Sequence, residues 1–158
     1  MPTPHRNDRG NRQEIAVALS RLLADSDTLY LKTHGFHWNV VGPRFYELHK
    51  LFEEQYTELQ GAVDAIAERI RALGAKAPGS YGEFGKLTSL REESGTPPAE
   101  EMIRQLLADN RAVARSAEAA VEGAEARHDV ATADLATQRV EIHEKAAWML
   151  DSLLQPAD

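Results

Sequence analysis

The sequence contains no cysteine. Disulfides, thiolate-held metals, iron–sulfur clusters and cysteine nucleophiles are excluded together, although the redox compartment stays open. Long apolar runs are also missing. Stretches such as Ile15 to Leu19 fall far short of the ~20 residues that span a bilayer, so no membrane partner is expected. The segment from Met1 to Gln13 is polar and lacks the apolar stretch of a signal peptide, and the expectation is a soluble, cytoplasmic protein. Basic residues are outnumbered, 18 Lys and Arg against 25 Asp and Glu, for a net charge of −7. A chain of that sign is a poor candidate for coating a polyanion with its whole surface. What remains is a 158-residue chain, the size of one domain and large enough for a real core.

Proline is scarce and informative. The seven prolines, at positions 2, 4, 43, 78, 97, 98 and 156, leave four long proline-free segments, none of which alternates as a strand. The first runs from about Gln13 to Val40, with Asn11 and Glu14 spaced as a capping box and Ile15, Leu19, Leu22, Leu23, Leu29 and Phe36 at helical spacing. The second opens at Gly42-Pro43, carries Leu48, Phe52, Tyr56, Leu59, Val63, Ile66, Ile70 and Leu73 as its stripe, and stops at Gly74. Residues 75–96 are too rich in Gly and Pro for one helix, with room for a short one around Tyr81 to Leu90. Thr96-Pro97-Pro98 before Glu100-Glu101 starts a third helix that lasts to about Gly123, and Asp129 caps a fourth that ends near Leu154. Helices of ~25–30 residues are ~40 Å long, and the 75–96 connection can cross the bundle end to end. Short outer connections and one long crossover predict an all-α, ferritin-like four-helix bundle over residues 13–155, preceded by a flexible arm over 1–12.

The chemistry concentrates between Thr33 and Leu73. His49, Glu53, Asp64 and Glu68 fall at about 0°, 40°, 60° and 100° around one helix, a polar stripe beside the apolar one. Polar groups there are costly to bury unless something satisfies them, and a divalent metal would do so. Imidazole with carboxylates suits iron, zinc or manganese rather than calcium. The plainer alternative is a solvated edge with Arg69 and Arg71 as salt-bridge partners. His49 and Asp64 lie ~22 Å apart along one helix and cannot share an ion within one chain. Two such helices paired antiparallel about a two-fold axis, crossing between Tyr56 and Thr57, bring His49 opposite the partner's Asp64 and create two equivalent sites. Tyr56, Leu59 and Phe52 are the expected apolar centre of that interface.

His37-Trp38-Asn39, Gly42, Phe45, His49 and Glu53, followed by Asp64-Ala65-Ile66-Ala67-Glu68-Arg69, resemble the motif of the Dps family, the starvation-induced DNA-protection proteins of the ferritin superfamily. The resemblance extends over nearly the whole chain, including the Gly- and Pro-rich crossover and the Trp148 region. It implies a hollow shell of twelve subunits that oxidises Fe²⁺, preferentially with hydrogen peroxide, and stores ferric iron. It implies that His37 and His49 of one subunit bind iron together with Asp64 and Glu68 of its partner, with Glu53 reaching a second metal position and zinc as a substitute ion. Trp38 would scavenge stray radicals or simply pack, and His34 is an auxiliary ligand or a packing residue. Asp129 and Asp134 match acidic positions lining the family's three-fold iron pores, whereas a third such position is Gln138; for Asp129 a plain helix cap is the rival reading. The one Glu-x-x-His spacing, Glu125 to His128, sits at a helix end without a partner motif. Direct DNA binding is the weakest expectation. No basic tail follows the last helix, and the arm offers Arg6, Arg9 and Arg12 against Asp8, a set that twelve copies could make multivalent. The rival functions are a DNA-compacting structural protein with a vestigial metal site, and a signalling or receptor-binding oligomer.

Overall fold

In the computed structural model, which describes residues 7–157 and their side chains from Arg9 onward, the described residues form five helices and no strand. They are α1 (Asn7–Asn39), α2 (Phe45–Ala72), α3 (Tyr81–Leu87), α4 (Ala99–Glu125) and α5 (Val130–Leu154). α1 and α2 form one antiparallel hairpin, α4 and α5 the other, and α1 packs on α4 between them. The crossover carries α3 against α1. This is the expected four-helix bundle with a short helix in its long connection.

The core follows from the apolar stripes. Leu19, Leu22, Leu23 and Leu29 of α1, Leu48, Phe52, Ile66 and Ile70 of α2, Ile103, Leu106 and Val113 of α4, and Ala136 and Leu150 of α5 are all buried. On α4 and α5 the stripe is largely alanine, including Ala117, Ala120 and Ala124, which lets two helices approach closely with little side-chain entropy lost.

The helix ends explain themselves chemically. At the end of α2, Gly74 has φ 89°, the Gly74 N–H donates to the Arg71 carbonyl, and the Ala75 N–H donates to the Ile70 carbonyl at 3.2 Å. That is the paired-bond stop a glycine makes possible. At the end of α4 the same pattern recurs with His128 at φ 58°: its N–H donates to the Glu125 carbonyl and the Asp129 N–H to that of Ala124. α4 therefore passes through Gly123, where the sequence placed its end.

Two other boundaries differ. α1 begins at Asn7, so residues 7–12 of the expected flexible arm are helical, and the Asn11–Glu14 capping box does not form because Asn11 lies inside the helix. Gly10 is the strongest helix-disfavouring residue between Asn7 and Gln13, with Asn7, Asp8 and Asn11 weaker, and extending an existing helix costs little per residue. Pro43 lies in the α1–α2 turn rather than in the first turn of α2, whose N-cap is Arg44. Arg6 lies outside the described residues.

A buried carboxylate anchors the crossover. Asp25 on α1, 1% exposed, accepts from Thr88 Oγ1 at 2.8 Å, the Ser89 N–H at 2.7 Å, Ser89 Oγ at 3.0 Å and, from α4, Ser116 Oγ at 2.6 Å. Nearby, Lys32 Nζ pairs with Asp109 at 2.8 Å and donates to the Arg91 carbonyl at 3.1 Å. Burial pushes the Asp109 carboxyl up, against the pull of Lys32.

Candidate metal centre

The α1–α2 turn sets the site. Gly42 adopts φ 113°, a conformation that glycine alone takes easily, and the chain reverses sharply enough to place the last turn of α1 against the start of α2. His37 and His49 meet there with their rings stacked, centroids 3.8 Å apart and planes 14° apart. Their hydrogen bonds are reciprocal. His37 Nδ1 donates to the His49 carbonyl at 2.7 Å, and His49 Nδ1 donates to the His37 carbonyl at 2.8 Å. A carbonyl only accepts, so both rings carry a proton on Nδ1, and Nε2 is the nitrogen left to meet a metal. Backbone carbonyls hold metal-binding imidazoles in this manner. The His37 carbonyl is one of the four at the end of α1 that lack an intrahelical partner, so the His49 ring also caps the helix.

Around the pair lies an aromatic stack. His34 sits 4.1 Å from the Tyr56 ring at 17° and 4.0 Å from Trp38. Burial, then the neighbouring His37, hold the His34 imidazole below its ordinary value. Trp38 is 60% exposed although it stacks on His34. Glu53 is half-buried one turn beyond His49, with Lys50 Nζ no closer than 3.7 Å.

Asp64 and Glu68 are exposed on the far half of α2. The ion pairs of α2 among the described residues are Arg44–Glu47, Lys50–Glu53, Glu58–Arg139 and Arg69–Asp129, and neither carboxylate takes part. The arginines that would have neutralised them are engaged elsewhere: Arg69 donates to Asp129 and Thr132, and Arg71 to the Ala75 carbonyl. Among the described residues, no three His, Asp or Glu side chains of the chain come together as a metal-binding group.

One expectation is overturned here. Phe52 and Leu59, 0% and 4% exposed, point into the bundle's own core and are not free to form the centre of an interface. They lie ~80–120° around the helix from the His49–Asp64 stripe, so the residues actually flanking that stripe are Tyr56, Gln60, Val63 and Ala67.

The remaining sequence candidates separate. Asp129 is the N-cap of α5: it accepts from the Thr132 N–H at 3.1 Å and from Arg69 at 2.9 Å. Burial raises its carboxyl, but the Thr132 hydrogen bonds and the Arg69 guanidinium outweigh this and hold it below the ordinary value. Asp134 is exposed and accepts from Gln138 at 3.2 Å. Glu125 and His128 are both exposed. Arg9 and Arg12 stand exposed on the first turns of α1.

The sequence reading missed a buried polar chain on the opposite flank of α2. Arg139 forks onto Glu58 at 2.5 and 2.7 Å and reaches His143, which in turn meets Asn110 at 2.9 Å. The signal was present: Arg139 and His143 are spaced i, i+4 on the same stripe as Ala136, Ala147 and Leu150.

Comparison with known proteins agrees with this fold. The family model described as Ferritin-like domain matches residues 16–157. A DNA protection during starvation protein of Brevibacillus brevis is 36% identical, over 91% of this chain and 97% of its own length. DNA protection during starvation protein 2 of Bacillus anthracis is 38% identical, over 91% and 98%. The chain belongs to the Dps family of the ferritin superfamily. Among solved structures, the Dps protein of Vibrio cholerae superposes with a TM-score of 0.90 at 32% identity, covering 93% of this chain and 92% of that one. It is described as a member of a broad superfamily of ferritin-like diiron-carboxylate proteins. In this Dps-family chain the far half of α2 brings no carboxylate to the two imidazoles to complete a metal-binding group among the described residues. No helix among the described residues is long and apolar enough to cross a membrane.

Proposed function

We propose that this chain is a ferroxidase of the mini-ferritin type. It oxidises Fe²⁺ at sites shared between two subunits and stores the ferric product in a hollow dodecamer, and so protects DNA in the cytoplasm. The observation that carries this reading is the reciprocal His37–His49 clamp. It sets two adjacent Nε2 atoms as the free ring nitrogens within one chain, while the matching carboxylates, Asp64 and Glu68, stand exposed ~22 and ~28 Å along α2 from His49, with no ion-pair partner among the described residues. An antiparallel α2–α2 contact crossing near Tyr56 brings the partner's Asp64 opposite His49 and completes a set of two nitrogens and two or more carboxylates, a donor set that suits iron. Glu53 supplies a carboxylate at the rim for a second iron.

Two irons at such a site match the stoichiometry of peroxide. Two Fe²⁺ give one electron each, the O–O bond breaks, and with two protons the products are two Fe³⁺ and two waters. Pairing the electrons avoids the one-electron cleavage that releases hydroxyl radical. Trp38, against His34, and Tyr56, edge-on to His37, are oxidisable groups beside the imidazoles. Asp134, exposed near the start of α5, is the better placed of the two candidate pore residues, because Asp129 is committed to Arg69 and Thr132. Arg9 and Arg12 are available for DNA contact on the outer turns of α1.

The test is anaerobic Fe²⁺ titrated with hydrogen peroxide. Consumption of two Fe²⁺ per peroxide, without detectable hydroxyl radical, is expected for the native protein. The His37→Ala, His49→Ala variant should lose at least tenfold in initial rate. Equal rates in the variant would remove the histidines from the site.

A further inference from the structure

The buried chain on the inner flank of α2 has the composition of a metal site with an arginine standing where the ion would be. Arg139, 5% exposed, directs Nη1 to Glu58 Oε2 at 2.5 Å and Nη2 to Glu58 Oε1 at 2.7 Å and His143 Nε2 at 3.0 Å. A guanidinium only donates, so His143 must accept through Nε2 and carry its proton on Nδ1. That proton goes to Asn110 Oδ1 at 2.9 Å, and Asn110 is fixed in turn by donating Nδ2 to the Leu106 carbonyl at 2.8 Å. His143 is 1% exposed, and burial followed by the Arg139 charge pulls its imidazole down to about 3. Its Nε2 lone pair is therefore free of protons across the physiological range.

Two further features fit a cation-binding pocket. A cavity of about 290 Å³ among α1, α2, α4 and α5 is lined on its polar side by Glu54, Gln55, Glu58, Asn110 and His143, with Lys145 and apolar side chains making up the rest. Both polar atoms of the Gln55 amide are buried and have no hydrogen-bond partner among the described residues. A neutral carbonyl oxygen, an imidazole nitrogen and one or two carboxylates on facing helices are donors that a first-row transition-metal ion accepts.

We propose that Glu58, His143 and Gln55 form a latent divalent-metal site inside the bundle, occupied in the native chain by the guanidinium of Arg139. The covalent cation braces α2 to α5 without a metal and closes the bundle interior to iron. Ions are thereby left to other sites on the protein. The inference does not depend on where Fe²⁺ is oxidised.

Arg139→Ala and Arg139→Gln, each made in the full-length chain carrying His37→Ala and His49→Ala, test this. Co²⁺ and Zn²⁺ are the probes. Each Arg139 variant should bind one Co²⁺ per chain at least tenfold more tightly than its parent, with visible d–d absorption from mixed N/O ligands and a metal-dependent rise in Tm. Adding His143→Ala should abolish both. Binding no tighter than in the parent, or unaffected by His143→Ala, would show that Arg139 is a brace only and overturn the proposal. If the Arg139 variants do not fold without metal, refolding yield gives the same decision: dependence on Zn²⁺ that requires His143 supports the site, and no dependence on Zn²⁺ overturns it.

Discussion

Asp25 is the point at which the crossover is most exposed to a single change. Its two oxygens accept four hydrogen bonds, three from the crossover and one from Ser116 on α4. All four partners donate, the role that suits a carboxylate acceptor. Hydrogen bonds to a charged acceptor each contribute ~1.5–3 kcal/mol, and they are not additive when they share one group. In Asp25→Asn the amide oxygen keeps the Thr88 and Ser89 N–H bonds, and the amide nitrogen donates to the Ser89 and Ser116 hydroxyls, which rotate to accept. Only the charge assistance is lost, for an expected ~1–2 kcal/mol. In Asp25→Ala every bond goes, and the Ser116 hydroxyl and Ser89 N–H lose their partner, for an expected ~3–5 kcal/mol. With a urea slope of ~2 kcal/mol/M, the Ala midpoint should fall by about 1.5–2.5 M and the Asn midpoint by no more than about 1 M. Unfolding must be compared at one protomer concentration, because an oligomer's stability depends on it. Limited proteolysis within residues 75–96 should speed up in the same order. An Ala variant within ~0.5 kcal/mol of the native protein, or no worse than Asn, would refute the anchoring role.

Asp129→Ala should cost ~1–2 kcal/mol at pH 7, through loss of the α5 cap and the Arg69 pair. Because the folded carboxyl is held below its unfolded value of about 3.9, that contribution is complete above about pH 5. It disappears as pH falls through the lowered folded value, so native and variant unfolding curves should converge in acid; a constant gap down to low pH would exclude the pairing. His128→Gly should raise stability by ~0.5–1 kcal/mol in urea, since His128 holds the φ 58° that glycine adopts freely, and a loss would show that its side chain contributes more than its backbone costs.

Much of this architecture was legible because long helices write long patterns. Leu48, Phe52, Leu59, Ile66 and Ile70 recur at one angle, Gly74 and Asp129 are a stop and a cap of ordinary chemistry, and the Gly- and Pro-rich 75–96 segment cannot be one helix. The boundaries that moved did so for local reasons. His128 performs a glycine's task at the end of α4, which no propensity would have suggested, and nothing between Asn7 and Gln13 is strong enough to stop α1 from extending. The pairing of His37 with His49 was legible only through the motif's resemblance to the Dps family, and the ring orientations were not, because they depend on which carbonyls the turn at Gly42 leaves unpaired. The assignment of Phe52 and Leu59 to an interface failed because one helix carries two faces and periodicity alone does not say which meets the core and which meets a partner. Arg139 and His143 went unread for a related reason: charged residues inside an apolar stripe look like exceptions until their partners on α2 and α4 are seen.

The central claim is that the imidazoles and the carboxylates of one site come from different subunits, and subunit complementation measures it directly. One chain carries His37→Ala and His49→Ala, the other Asp64→Ala and Glu68→Ala, and each alone should be nearly inactive in peroxide-driven Fe²⁺ oxidation. In a mixed pair the defects segregate, so one site collects both and the other is intact. Random co-refolding makes about half of the pairs mixed, with one working site of two, and about a quarter of native activity should return. Light scattering confirms that both variants assemble before the comparison is made. Recovery near that fraction is the predicted result; co-refolded subunits no more active than the two pure variants would contradict a site shared between chains.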